Sequence, residues 1–303
     1  MKIRDIGEIE LIKRFANKIR LDSSVVKGSG DDTAVIKWTR EKYLLYTCDM
    51  LVENVHFRRS AARPSQIGHK AMARNISDIA AMGGVPRYAL VSIGIKANLP
   101  VSVADGIVKG ILDLAKRFKI NIVGGDVSRS DKIVIDISLL GEVEKGNLVL
   151  RSGAKPGDLI FVTGSIGGSQ KGKHLNFTPR LSEARSLAEN FRINSMIDLS
   201  DGLFLDLLRI LDASKVGARI HESLIPLSKK AGSFDRAVQE GEDFELMFTM
   251  GRKEAKRFFR TALLKMKTPV TLIGEILDRK SGYKLVRKDG REEAIRPKGF
   301  LHF

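Results

Sequence analysis

A mixed fold of the α/β or α+β kind, in two domains, is what this sequence predicts, on three observations. The chain has 303 residues, roughly the length of two ordinary domains and enough to bury a sizeable core. Its first half alternates β-rich runs with long segments of helical periodicity. Near residues 145–157 a Gly-rich stretch, GNLVLRSGAKPGD, contains the turn Lys155-Pro156-Gly157, which predicts a boundary between 1–145 and 146–303.

In chain order, residues 43–49 (YLLYTCD) read as a strand ending in a carboxylate. A helix opens at Pro64-Ser65 and closes at Gly83-Gly84, before Pro86. Residues 88–95 (YALVSIGI) form a short β-rich run, and 102–118 place Ile107, Ile111, Leu114 and Phe118 at helical spacing. INIVGGD and KIVIDISLLGEV supply two more strands. In the second half DLIFVTG (158–164) is a strand, a Gly-rich loop follows, and a helix is expected near 180–191. The strand SMIDLS, the helix DGLFLDLLRILDAS, further strands, one basic helix and the aromatic end GFLHF complete the chain. It carries no convincing internal repeat and no low-complexity segment.

Composition narrows the class. Hydrophobic residues at 43% and charged residues at 29% belong to a globular chain, not a disordered or fibrous one. A single cysteine, Cys48, excludes an intramolecular disulfide and fits a reducing compartment. The segment MKIRDIGEIELIKRF is charged throughout without an apolar h-region, so no signal peptide is expected. No run approaches the roughly 18 apolar residues of a membrane span; LFLDLLRIL is cut by Asp206 and Arg209. A soluble, cytoplasmic protein is expected. The 52 Lys+Arg against 36 Asp+Glu give a net charge of +16, which could suit a polyanionic partner or an anionic substrate. The basic residues are scattered, however, in groups such as Lys229-Lys230. In RKEAKRFFR (252–260) they share a helical pattern with Phe258 and Phe259, which reads as a solvated helix face over a core. No zinc-finger, RRM or basic-zipper pattern accompanies them, so nucleic acid is not an expected partner.

One motif invites a phosphate-loop reading. GGSQKGKH at 167–174 satisfies G-x-x-x-x-G-K after a strand. Yet His174 stands where a Ser or Thr should ligate Mg²⁺, and Pro179 would interrupt the helix that such a loop must open. A basic surface loop is the better reading.

The carboxylates speak more clearly. Asp31 and Asp32 follow glycines in GSGDDTAV, and Asp49 ends a strand. Asn75 and Asp78 share a helix face, and Asp126 follows Gly124-Gly125. Asp198 and Asp201 flank Ser200 in MIDLSDG, and Glu242 and Asp243 follow Gly241. One such Asp is ordinarily a turn former or helix cap. Five clusters of this kind after apolar strands or glycines are harder to assign to turns, because strand ends and Gly loops are where an α/β scaffold presents ligands. Converging carboxylates repel unless cations neutralise them. Oxygen ligands without clustered Cys or His select Mg²⁺ or Ca²⁺, and several Mg²⁺ ions point to phosphoryl transfer.

These motifs resemble those of the thiamine-monophosphate kinase family. GSGDDTAV, TCDMLVENVHF, KAMARNISDIAAMGGVP, IVGGDVSRS, LRSGAKPGD, MIDLSDGLFLDL and GEDFELMF follow the family order from residue 28 to about 250, and KGFLHF fits near the end. The wider superfamily includes aminoimidazole ribonucleotide synthetase, selenophosphate synthetase and the hydrogenase-maturation dehydratase. The resemblance implies a two-domain α+β fold like that of aminoimidazole ribonucleotide synthetase. Residues 1–145 would bind ATP and Mg²⁺ and dimerise through a shared β-barrel, with 146–303 as a second α+β domain. It implies a homodimer that moves the γ-phosphoryl group of ATP directly to thiamine monophosphate.

Residue by residue, the resemblance assigns Asp32, Thr47, Asp49, Asp78, Asp126, Asp198 and Asp201 to several Mg²⁺ ions, with Asp78, Asp126 and Asp198 catalytic. Gly125, Asp126, Arg151 and Ser200 would hold ATP. His56, Glu242 and Phe300 would form the thiamine side. Two departures stand out. Thr47-Cys48-Asp49 replaces the usual Ser-Thr-Asp, which removes a hydroxyl. The segment SQKGKHLNFTPR is shorter than the family's helical insert, so contacts there do not carry over. The alternatives are another ATP-dependent enzyme of the superfamily with a different acceptor and, more remotely, a basic nucleic-acid-binding protein. Setting nine motif acids aside leaves 27 acids against 52 bases, so the net charge averages an acidic cleft and a basic exterior that could draw in nucleotides.

Overall fold

The computed structural model describes residues 2–263, 266–295 and 299. In chain order the first half runs α1 (Ile3–Ala16), β1 (Val25–Lys27), β2 (Ala34–Lys37), β3 (Lys42–Val52), α2 (Pro64–Ala81), β4 (Val85–Ile95), α3 (Val101–Phe118), β5 (Asn121–Arg129) and β6 (Val134–Glu144). The second half runs β7 (Leu159–Thr163), α4 (Leu181–Asn190), β8 (Ser195–Asp198), α5 (Leu203–Ser214), β9 (Gly217–His221), α6 (Phe234–Ala237) and β10 (Leu246–Met250). It continues through α7 (Arg252–Thr261), β11 (Val270–Leu277), β12 (Tyr283–Val286) and β13 (Glu292–Ala294). Each helix and strand expected within the described residues is found, and residues 300–303 of the aromatic end lie outside them. Helix α1 was not expected; it buries no residue and is broken by Gly7 at φ 71°.

The first sheet has the order β1-β2-β3-β6-β4-β5. Its central strand β6 alternates without a fault: Ile135, Ile137, Leu139, Gly141 and Val143 are buried while the residues between them are partly exposed. The buried face carries α2 and α3. These helices touch backbone to backbone: a Cβ on Gly68 would lie 1.9 Å from the Ile107 carbonyl oxygen, and one on Gly110 would lie 2.0 Å from that of Ser65. Gly68→Ala must therefore prise the two helices apart. We expect a loss of about 3 kcal/mol, measured by urea denaturation, against a surface control such as Gly146→Ala, where a Cβ meets nothing. Within one chain this sheet is open, with β1 and β5 at its edges, so the barrel implied by the family resemblance does not close in the monomer.

The second sheet has the order β13-β12-β9-β11-β7-β10-β8 and is covered on both faces. Ile160 and Val162 of β7 face a core built with α5, and Phe161 between them faces another built with α4 and α7. On α7, Phe258 is wholly buried while the basic residues lie outward; Arg257 stacks over Phe191 at 4.4 Å and pairs with Glu254. That is the solvated basic face expected from the sequence. Helix α2 is the hinge of the architecture. It packs on the first sheet, on α3, and on α4 and β8 of the second half, which is why its sequence KAMARNISDIAA is rich in small residues. Among the described residues no helix is long and apolar enough to cross a membrane.

Candidate active site

Where the two halves meet, α2 presents side chains to a cleft of about 510 Å³. Strand β3 sends Thr47 and Asp49 to it from the residue set that also buries Leu45 and Leu51. The turn before β2 adds Asp31 and Asp32. The end of β8 adds Asp198, and the turn into α5 adds Ser200 and Asp201. Asp206 shapes that turn by accepting hydrogen bonds from the amides of Asp201 and Gly202, at 3.0 and 3.2 Å.

The floor is acidic. Asp32, Asp78 and Asp198 each offer a carboxylate oxygen within 4.8 Å of the other two. Thr47 Oγ1 donates to Asp78 and Ser77 Oγ to Asp198, both at 2.6 Å. Arg151 donates to Asp32 Oδ1 at 2.7 Å, and its amide donates to Asp31. Burial first, then the charges of neighbouring aspartates, push the carboxyls of Asp78 and Asp198 well above the usual range. The second oxygen of Asp32 is buried without a hydrogen-bond partner among the described residues. Three hard oxygen donors that repel one another, one with an orphaned atom, fit a divalent cation such as Mg²⁺. Asp49 is paired with Arg74 at 3.0 Å, and Asp201 with Arg209.

The cleft continues through a neck of about 40 Å³, lined by His56, Arg74, Ser200, Asp201, Glu242 and Phe244 among others. Beyond it lies a second hollow of about 390 Å³, bordered by His56, Arg58, Gln170 and His174. Under the neck sits a polar cluster that sequence reasoning missed. Lys70, wholly buried, places its Nζ 2.5 Å from Glu242, 2.8 Å from His174 Nδ1 and 2.6 Å from the His56 carbonyl oxygen. Burial alone would raise the Glu242 carboxyl, but the Lys70 ammonium beside it pulls it below the usual range. Burial lowers Lys70 to about 8 against the pull of Glu242. The sequence signal was a lysine within a run of small helical residues, visible only if that helix is known to be buried all round.

The 167–174 loop is no phosphate cradle. Its amides are taken: Gly167 donates to Asp243 at 3.0 Å and Gly168 to Glu240 at 3.0 Å. Two short 3₁₀ turns follow instead of a long helix. Gly125 and Asp126 lie elsewhere, on edge strand β5, bordering an apolar hollow against α3. They do not line the acidic cleft of their own chain. Phe300 lies outside the described residues; Gly299 beside it packs on the Asp201 carbonyl and Leu205.

The buried acids predict a pH effect. Burial, and then Asp32, raises Asp31 to about 6; burial raises Asp243 to about 6 and Asp206 to about 7. A carboxyl raised in the folded state adds stability that is present below the unfolded value near 4 and is lost as pH rises through the folded value. A shift of this size is worth about 3 kcal/mol taken alone. In EDTA, the protein should therefore melt at a higher temperature at pH 5.5 than at pH 7.5. A melting temperature that stays flat or rises from pH 5.5 to pH 7.5 in calorimetry would contradict this electrostatic account.

Known proteins share this architecture. Residues 30–143 match the family described as AIR synthase related protein, N-terminal domain, and residues 155–286 match its C-terminal domain. The thiamine-monophosphate kinase of Rhodopirellula baltica is 38% identical over 295 residues, 92% of each chain. That of Bacillus subtilis is 34% identical over 326 aligned positions, covering 98% of this chain and 100% of the relative. Among solved structures, AaThiL complexed with AMPPCP and TMP superposes with a TM-score of 0.86 at 30% identity, over 100% of this chain and 99% of that one. A HypE–HypF complex, with a TM-score of 0.72 at 21% identity, shares the fold.

Proposed function

The chain belongs to the thiamine-monophosphate kinase family, and we propose that it transfers the γ-phosphoryl group of ATP to thiamine monophosphate, giving thiamine diphosphate and ADP, by direct in-line displacement in the cytoplasm. The observation that carries this reading is the trio Asp32, Asp78 and Asp198, with Asp32 and Asp198 buried and Asp78 half-buried, whose carboxylate oxygens lie within 4.8 Å of one another at the junction of the two halves. Several Mg²⁺ ions, when bound, would screen the two polyanions and neutralise charge developing on the transferred group. The acceptor is already an anionic phosphate oxygen, so a strong general base is unnecessary.

The chain's own residues divide the work. Asp32, Asp78 and Asp198 would ligate metal, joined by Thr47, Asp49 and Asp201 from the same cleft. Thr47 and Ser77 aim two of these carboxylates by donating to them. Arg151, anchored on Asp32, and Ser200 would meet the nucleotide; a guanidinium suits phosphate oxygens better than an ammonium does. His56 and Glu242, in the wall of the neck, would face thiamine, and the family resemblance adds Phe300 as an aromatic face for it. A coupled assay for ADP, with thiamine diphosphate identified by chromatography, tests the reading. ATP turnover without that product would refute it.

Asp126 and Gly125 enter through a homodimer. Tyr46 and Tyr88 both pair with Leu140, Cys48 and Leu90 both pair with Ser138, and Met50 lies in one row with Asp136, Ser92 and Asp126. Tyr46, Met50, Tyr88 and Leu90 are each between 42% and 53% exposed, an apolar face suited to a second copy closing the barrel. If Asp126 serves the partner's nucleotide, mixing inactive Asp126→Asn and Asp198→Asn dimers should restore about a quarter of wild-type turnover after subunit exchange. No recovery from two inactive parents would place Asp126 within its own subunit's site, and an Asp126→Asn variant that is active alone would place it outside the reaction.

A further inference from the structure

We propose that Lys70 fixes His174 as the Nε2–H tautomer and so makes His174 a hydrogen-bond donor to a heterocyclic acceptor of the substrate in the second hollow; the substrate half of this proposal rests on the kinase reading above. The hydrogens available to the cluster decide the tautomer. His174 Nδ1 lies 2.8 Å from Lys70 Nζ and 3.0 Å from Glu242 Oε2, and one hydrogen at most can serve that nitrogen. Were it Nδ1–H, donating to Glu242, the third N–H of Lys70 would point at another donor in a fully buried place, at a cost of a few kcal/mol. Glu242 does not need it: Oε1 is paired with Lys70, and Oε2 accepts from Gln170 at 2.8 Å. A doubly protonated ring would set two cations 2.8 Å apart. The remaining arrangement has Lys70 donating to Glu242, to the His56 carbonyl and to Nδ1, all three protons used.

With Nδ1 committed to Lys70, the ring's other polar atom is Nε2–H. His174 borders the second hollow beside His56, and Nε2 has no hydrogen-bond partner among the described residues. A single neutral N–H donor on a wall that mixes the polar His56, Arg58 and Gln170 with the apolar Val55, Phe57 and Leu175 suits an uncharged acceptor such as a ring nitrogen of an aminopyrimidine. Lys70 is then a positioning residue and His174 a binding residue.

Two measurements test the pair. In protein labelled with ¹⁵N-histidine, long-range ¹H–¹⁵N spectra report the tautomer of each of the five histidines, with His174 assigned by its loss in His174→Gln. We expect Nε2–H in the wild type and Nδ1–H in Lys70→Met; should that variant not fold, Lys70→Met/Glu242→Gln removes both charges together. Nδ1–H in the wild type overturns the proposal whatever the enzyme's activity. In kinetics, His174→Phe should raise KM for thiamine monophosphate about tenfold and leave KM for ATP within about twofold. His174→Gln, whose amide nitrogen reaches the Nε2 position, should recover most of the loss. Equal effects on both substrates, or no difference between Phe and Gln, overturn the donor role. A wild type that neither binds nor phosphorylates thiamine monophosphate removes the kinase reading and the substrate half with it, while the spectrum still decides the tautomer.

Discussion

Asp198→Asn is expected to lose about a thousandfold or more in turnover and yet to melt at a higher temperature than the wild type in EDTA. Both effects have one cause. Asp198 is 2% exposed and its carboxyl is pushed well up by burial and then by Asp32, so without a cation its negative charge is a liability to the fold. An asparagine keeps an oxygen to accept from Ser77, which now donates at 2.6 Å, and removes the repulsion. The same charge is what a metal would need. Adding Mg²⁺ at about a hundred times its dissociation constant should stabilise the wild type by about 3 kcal/mol and the variant by much less, which reverses the order of the two melting temperatures. A variant less stable than the wild type in EDTA would show that the trio is not under electrostatic strain.

Arg180→Met should cost about 3 kcal/mol, and about 5 °C in melting temperature, with a smaller effect on catalysis. Arg180 holds Glu245 by two bonds of 2.7 Å, and Glu245 is 1% exposed. Lys173 at 2.9 Å and Thr163 at 2.8 Å complete its shell. Removing the guanidinium leaves a buried carboxylate short of donors. It also frees the short 168–180 segment from the second sheet, because Arg180 and Lys173 both anchor that segment on Glu245. The double variant Arg180→Met/Glu245→Leu, which removes both charges, should recover much of the loss in urea denaturation. No recovery would mean that Arg180 acts through its packing.

Much of this could be seen in the residues. Strand β6 alternates at period two, and α3 carries Ile107, Ile111 and Leu114 at helical spacing, so neighbouring residues alone specify them. The acids at strand ends and after glycines stood out because α/β scaffolds present ligands there. Helix α1 was missed because its charges and apolar residues show no clean face, and it buries none of them.

By itself, then, the sequence determined most of the helices and strands, the acids clustered in and beside them, and the family that orders them; strand β3 runs on past Asp49 to Val52. Those properties depend on spacing along the chain and on backbone preferences, which act over a few residues. Only the tertiary structure decided which acids meet. Asp32, Asp78 and Asp198 are far apart in sequence and converge because α2 lies between the two halves, whereas Asp126 is held on an edge strand away from them. It also decided that Lys70, ordinary on a solvated helix, would be sealed in. Burial and the placing of one charge beside another are set by the packing of distant segments, and these are what shift a pKa, bury an ammonium or bring carboxylates into register for a metal.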